Sequence, residues 1–286
     1  MKLVAKIFLA AIAYCVGVVV SGMLTPILHF PQFRPLPGTN TQTMFLYMLL
    51  ATPLLAAGLL PLASGLRGKW ATRWLSIAAL MFVALGLNTV LELLIFSNMV
   101  DGQNVGLSLQ YILPCVMAAA VLTYPLSAAV NSPATAMHFG ALGWGWRLVV
   151  AWLSFPVIYF VFGVMVAPIV VPVYHAGVAG LRIPPIDVIM RMQLLRSALF
   201  LAASLPTILL WKKSRVQLLI SLGLAHAMTV GIFGLVQASF LPTVLRVTHS
   251  VEIAADSFAY AAVLTYLFTR PVKAAQPALS KTSAAA

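Results

Sequence analysis

Residues 246–270 read RVTHSVEIAADSFAYAAVLTYLFTR, and the fold turns on how this stretch is placed. Arg270, with Lys273 just beyond it, marks one end. From Ser257 to Phe268 the chain is apolar but too short to cross a bilayer, which takes about 20 helical residues. A spanning helix must therefore reach back to His249 or thereabouts, and Glu252 and Asp256 are pulled below the far interface. At about 1.5 Å per residue, Asp256 lies on the order of 10 Å deep. His249, Glu252 and Asp256 follow at i, i+3 and i+7, Arg246 precedes them by one turn, and Tyr260 continues the stripe. That spacing stacks side chains on one helix face. Lipid offers charges no partner, so this face is expected to turn into a bundle.

The rest of the 286-residue chain has the same character. Apolar residues make up 62%, charged residues 8%, and the mean hydropathy is +1.02. Repeated long apolar stretches belong in lipid and exclude a water-facing globule. In lipid every backbone N–H and C=O needs an internal partner, which leaves helices or a closed barrel. The runs are continuous and far longer than a barrel strand of roughly 10 residues. The chain is therefore read as an all-α polytopic membrane protein of eight transmembrane helices, over 4–28, 43–65, 73–98, 106–128, 146–171, 189–211, 214–240 and 247–269. Pro31, Pro35, Pro37 and Gly38 break the chain after the first helix, and Asp101-Gly102 with Asn104 after the third. Asn131-Ser132-Pro133 follows the fourth, and Pro184-Pro185 precedes the sixth. Pro has no N–H to donate and Gly loses much entropy in a helix, so both punctuate. The first apolar segment runs from Leu3 to Leu28, longer than a signal-peptide core of about 7–15 residues, and is read as a retained helix.

Charge gives the direction. One side of this arrangement receives Lys2, Lys6, Arg67, Lys69, Arg73, Arg147, Lys212, Lys213, Arg215, Arg270, Lys273 and Lys281. The other receives Arg34, Arg182, Arg191, Arg196 and Arg246, a split of 12 against 5. The positive-inside rule then puts both termini in the cytoplasm of a cell-inner-membrane protein. The formal charge of +12 sits in small groups at helix ends, with no basic domain, which points to anionic lipid at the cytoplasmic face and away from nucleic acid. Residues 273–286 are expected to be a disordered cytoplasmic tail. Cys15 and Cys115 each lie in an apolar run and are expected to be inert buried thiols.

The hexapeptide Ala-Ala-Val-Leu-Thr-Tyr occurs at 119–124 and again at 261–266, an offset of 142. At that offset Ser97 meets Ser239, Ser108 meets Ser250 and Gln110 meets Glu252. Upstream, with small indels, Pro61 aligns with Pro206, Gly17 with Gly163, and the basic connector Arg67–Arg73 with Lys212–Arg215. We read a tandem duplication of a four-helix unit, 1–142 and 143–272. An even number of helices per unit makes the repeats parallel, related by an axis along the membrane normal.

Polar residues inside the helices are the clearest functional clue, because each central charge costs roughly 2.5–3.5 kcal/mol on insertion scales. The sixth helix ends at Lys212, which puts Arg191 at its outer boundary and Arg196 slightly inside. An ion pair of Arg196 with Glu252 or Asp256 is predicted, with Arg191 joining it or pairing with Asp187. The third helix contributes Asn88 and Glu92, one turn apart in the outer third. A Glu92 carboxyl without a cationic partner would be a candidate proton carrier. The candidate substrate, ion or buried ion-pair site is thus Asn88, Glu92, Arg191, Arg196, Arg246, His249, Glu252 and Asp256. His226, alone at mid-membrane, is read as a packing residue, and Gly223, Ala227 and Gly231 as a small-residue seam for close helix approach.

No Gly-rich phosphate loop, His-Glu-x-x-His helix or Gly-x-Ser-x-Gly elbow occurs. His249, Glu252 and Asp256 are metal-ligating types, but Arg246 beside them opposes a cation, and no resident metal or cofactor is expected. Two functions remain. One is a small transporter or permease whose outward-opening site uses Glu92, Arg196, Glu252 and Asp256, tuned by His249. The other is a non-catalytic membrane subunit or assembly partner, with structural ion pairs and small-residue seams that bind another membrane protein or a second copy. An intramembrane enzyme acting on lipid-linked material through His249, Glu252 and Asp256 ranks last, because no nucleophile or metal set is complete.

Overall fold

The computed structural model describes residues 2–31, 40–98, 105–124 and 139–269. Arg34, Arg270, Lys273, Lys281, the turns at Asp101-Gly102 and Asn131-Ser132-Pro133, and the tail 273–286 lie outside the described residues. Within them, eight helices are long and apolar enough to cross a membrane. They are α1 (Lys2–Ile27), α2 (Thr41–Gly65), α3 (Trp70–Phe96), α4 (Gly106–Thr123), α5 (Ala141–His175), α6 (Ile186–Leu209), α7 (Arg215–Gln237) and α8 (Thr243–Phe268).

Most boundaries fall within a few residues of those expected, and α5 departs most. It runs for 35 residues, past Pro156, Pro168 and Pro172. Membrane helices tolerate proline because neighbouring helices and side chains satisfy the freed carbonyls. Two helices widen locally to i→i+5 turns, at Phe82–Leu87 in α3 and Met228–Ile232 in α7. Such turns concentrate at functional sites.

Helix ends gather in two layers. In one, Lys6 Nζ donates to the Tyr124 carbonyl at 2.9 Å, and Arg147 Nε to the Leu267 carbonyl at 3.0 Å. Arg67 N–H bonds the Leu210 carbonyl at 2.9 Å, and Lys212 N–H returns a bond to Gly65 at 3.1 Å, so the α2–α3 and α6–α7 connectors meet in a reciprocal bridge. In the opposite layer, Arg182 Nη2 donates to the Leu94 carbonyl at 2.9 Å, and Arg246 Nε to the Leu235 carbonyl at 2.8 Å. The last four carbonyls of a helix have no partner of their own, and a guanidinium beside them supplies donors.

Packing follows a regular scheme. α4 packs on α1 and α3, and α8 packs on α5 and α7. α2 lies against α1 and α7, while α6 lies against α5 and α3. One apolar core joins them through Leu59, Met81, Leu122, Phe155, Leu222 and Tyr260. Cys115 is buried in it, whereas Cys15 is partly exposed and rests 3.5 Å from the Thr52 hydroxyl. The small-residue seam of α7 takes side chains of α8: a Cβ on Gly223 would meet Phe258, and one on Gly231 would meet Ile253.

Candidate functional site

The inward face predicted for α8 is inward. Glu252, Asp256 and Tyr260 are 7%, 8% and 1% exposed. Glu252 faces Gly163 of α5, Tyr260 packs on Phe155 of α5 and His226 of α7, and Arg196 of α6 is buried at 3%.

The partner of Arg196 differs from the one expected. Its Nη2 contacts Glu92 Oε1 at 2.5 Å, on α3 and not on α8. Its Nε donates to Asn88 Oδ1 at 2.7 Å, and its Nη1 to Gln193 Oε1 at 3.0 Å. All three guanidinium nitrogens are therefore engaged. Arg's planar fork suits such a triple contact, which a lysine could not reproduce. Glu92 has a cationic partner, so the condition that would make it a proton carrier is not met. Asn88 follows the wide turn of α3, and its Nδ2 donates to the Val230 carbonyl, in the wide turn of α7, at 3.3 Å. Wide turns loosen the regular ladder, and here that lets Asn88 join α3, α6 and α7.

Glu252 pairs within its own helix, where His249 Nδ1 lies 2.5 Å from Glu252 Oε2. His249 Nε2 in turn faces the Tyr174 hydroxyl at 3.4 Å. The burial is graded: His249 is 20% exposed and Glu252 7%. Asp256 stands one turn deeper, and its Oδ1 is buried with no hydrogen-bond partner among the described residues. Gln193 Nε2 is unpartnered in the same sense. Tyr159 of α5 stands within electrostatic reach of Arg196, Glu92, Glu252 and Asp256. Phe155, Tyr159 and Phe200 wall the guanidinium, with ring centroids 5.6–5.9 Å from Arg196 Cζ. A buried cation gains from aromatic faces at such range.

Two expected members stand apart. Arg246 is spent on the α7 terminus, bonding the Leu235 and Val236 carbonyls at 2.8 Å each. Arg191 pairs with Asp187 at the surface, both side chains more than half exposed. His226 is packed inside, 2.9 Å from the Ser204 hydroxyl and stacked on Tyr260. Gln193, Tyr159 and Tyr174 belong to the cluster but escaped the sequence reading. Gln193 could have been found, since it stands one turn before Arg196. Nothing in the sequence distinguishes the two tyrosines from interfacial aromatics. Among the described residues, no group of three or more His, Cys, Asp or Glu is arranged to hold a metal ion.

The polar cluster thus lies in the crevice-like junction of α3, α5, α6 and α8. It holds a saturated guanidinium, two partnered carboxylates and one carboxylate oxygen without a partner. No protein-family model, curated protein or solved structure matches the chain.

Proposed function

We propose that this integral membrane protein is a small transporter or permease, with its site in the crevice of α3, α5, α6 and α8. The observation that carries the reading is the buried Asp256, whose Oδ1 has no hydrogen-bond partner among the described residues, beside a structured Arg196–Glu92–Asn88 network. Polar groups inside a membrane face bundle interiors or water-filled cavities and mark solute pathways. A structural staple needs the network but has no use for an extra buried carboxylate.

The same reading holds the chain to be two parallel four-helix copies, 1–142 and 143–272, in a bacterial-type inner membrane. Both termini are cytoplasmic, and the crevice opens outward. The 12-to-5 split of cations supports the orientation. The repeated hexapeptide supports the duplication, and so does the exchange of packing partners, α2 on α7 and α6 on α3. Leu66 and Trp211, paired in the reciprocal bridge, are 145 residues apart, as are Pro61 and Pro206. Anionic lipid covers the cytoplasmic face.

The test is a panel of amino acids, sugars, organic amines and monovalent ions, screened for thermal stabilisation of the purified chain. Any hit is then followed by uptake into liposomes. Saturable uptake that falls at least tenfold in Asp256→Asn is the expected result. Flux unchanged in both Glu92→Gln and Asp256→Asn would sink the reading.

One observation favours a second reading, the non-catalytic membrane subunit. Only 6% of the most apolar stretch of α5 is buried. An apolar crevice of about 720 Å³ runs along it, lined by Pro156, Val157, Phe160, Val164, Met190 and Leu194. A transmembrane helix of another protein, or of a second copy, would fit there. Stoichiometric co-purification of one membrane protein, lost in Val157→Trp, would favour it.

A further inference from the structure

The cluster has an acceptor to spare, Asp256 Oδ1, and its spare donors, Gln193 Nε2 and Tyr260 OH, are neutral groups that bring no charge to it. Every guanidinium nitrogen of Arg196 is used, so an anionic solute would have to displace Glu92, Asn88 or Gln193. The free acceptor is Asp256 Oδ1. The groups facing it are Glu252 and Tyr260 from α8, Tyr159 from α5 and Arg196 from α6, with Glu92 of α3 behind the arginine. The only full cation among these is already neutralised by Glu92. An ionised carboxylate in apolar surroundings without partners is far more costly than its neutral acid. It must take up a positive charge, and a proton needs no coordination shell.

The outer part of a route for that proton is laid out in hydrogen bonds. Tyr174 OH lies 3.4 Å from His249 Nε2, and His249 Nδ1 lies 2.5 Å from Glu252 Oε2. Glu252 precedes Asp256 by one helical turn, on the same face. His249 is the more exposed end, at 20%, while Glu252 and Asp256 are both buried, at 7% and 8%.

We propose that Asp256 is the proton-carrying group of the crevice, loaded through a relay of Tyr174, His249 and Glu252. A proton from solvent binds His249 Nε2, and the proton on Nδ1 passes to Glu252 Oε2, which leaves the imidazole neutral. The Glu252 acid then gives its proton to Asp256, one turn on, when side-chain rotation brings the two carboxyls into hydrogen-bond reach, and returns to carboxylate. The relay resets when Tyr174 or solvent exchanges the imidazole tautomer. No electron moves and no bond other than O–H and N–H changes. The inference rests on the transport reading only in giving the proton a use, as the driving ion of a coupled carrier.

The test uses the whole chain in lipid nanodiscs and infrared difference spectroscopy, with no added solute. At neutral pH the wild type should show the C=O band of a protonated carboxylic acid. The band should vanish in Asp256→Asn, weaken in Glu92→Gln, which leaves the Arg196 charge free to favour an ionised Asp256, and shift without loss in Asp256→Glu, which guards against a merely unfolded variant. In His249→Phe the band should remain, but its deuterium exchange should slow about a hundredfold, the range typical of a lost positioned acid–base group. A band that survives Asp256→Asn, no band in the wild type, or unaltered exchange in His249→Phe would overturn the proposal. Uptake without the band would leave the transport reading standing and remove this one. The band without uptake of any solute would do the reverse.

Discussion

Between α1 and α4, Gly17 brings the chain so close to Pro114 that an added Cβ would stand 2.6 Å from its Cα. Between α5 and α8, Gly163 faces only Glu252 Oε1, at 3.7 Å, which is ordinary contact. The contrast extends along both crevices. At the offsets of the proposed duplication, Pro114 stands where Asp256 does, Gln110 where Glu252 does, Ala51 where Arg196 does and Met48 where Gln193 does. Ala51 and Met48 are buried in the apolar core. α2 also packs on α4, whereas α6 and α8 scarcely meet. One crevice is closed by backbone contact and apolar side chains. The other is lined with charged and polar side chains. The lesson is that one packing scheme supports both an apolar and a polar lining.

The comparison can be broken most forcefully at Arg196. Arg196→Ala leaves Glu92, Asn88 and Gln193 without their shared donor. Removing one partner of a buried pair costs about 3–5 kcal/mol, and the partial exposure of Glu92 places the effect at the lower end. The thermal unfolding midpoint in detergent should drop steeply, and Arg196→Lys should recover little of it. Next comes Gly17→Ala, which forces a methyl against the Pro114 backbone and should destabilise by about 1–3 kcal/mol. Gly163→Ala, its counterpart, should be neutral or stabilising by up to about 1 kcal/mol, from helix propensity alone. Equal losses in the two glycine variants would erase the distinction between a closed and an open seam. Asp256→Asn should change stability by less than about 1 kcal/mol, because no hydrogen bond to Oδ1 is lost. The smallest effect is expected at Arg191→Ala, within about 0.5 kcal/mol, since its pair with Asp187 is exposed.

Much of this architecture was legible in the chain. The crossings could be read because a spanning helix satisfies its backbone internally and needs only length and apolarity. The face of α8 could be read because His249, Glu252, Asp256 and Tyr260 share a period. Arg246 shares that period too, yet it caps α7, because the open carbonyls of Leu235 and Val236 compete for its guanidinium. The extent of α5 was hidden by its prolines, which are strong stops in water and weak ones in a bundle.

Hydrophobic periodicity and the spacing of charges are properties of one helix at a time, and they alone sufficed for the membrane class, the helix number and the burial of the acidic face of α8. The choice of Glu92 over Glu252 or Asp256 as the partner of Arg196 belongs to the folded bundle. So does the isolation of Asp256. In a low-dielectric interior a charge is matched by whatever stands a few ångström away, and that neighbour is set by how separate helices cross, which no single stretch of sequence encodes.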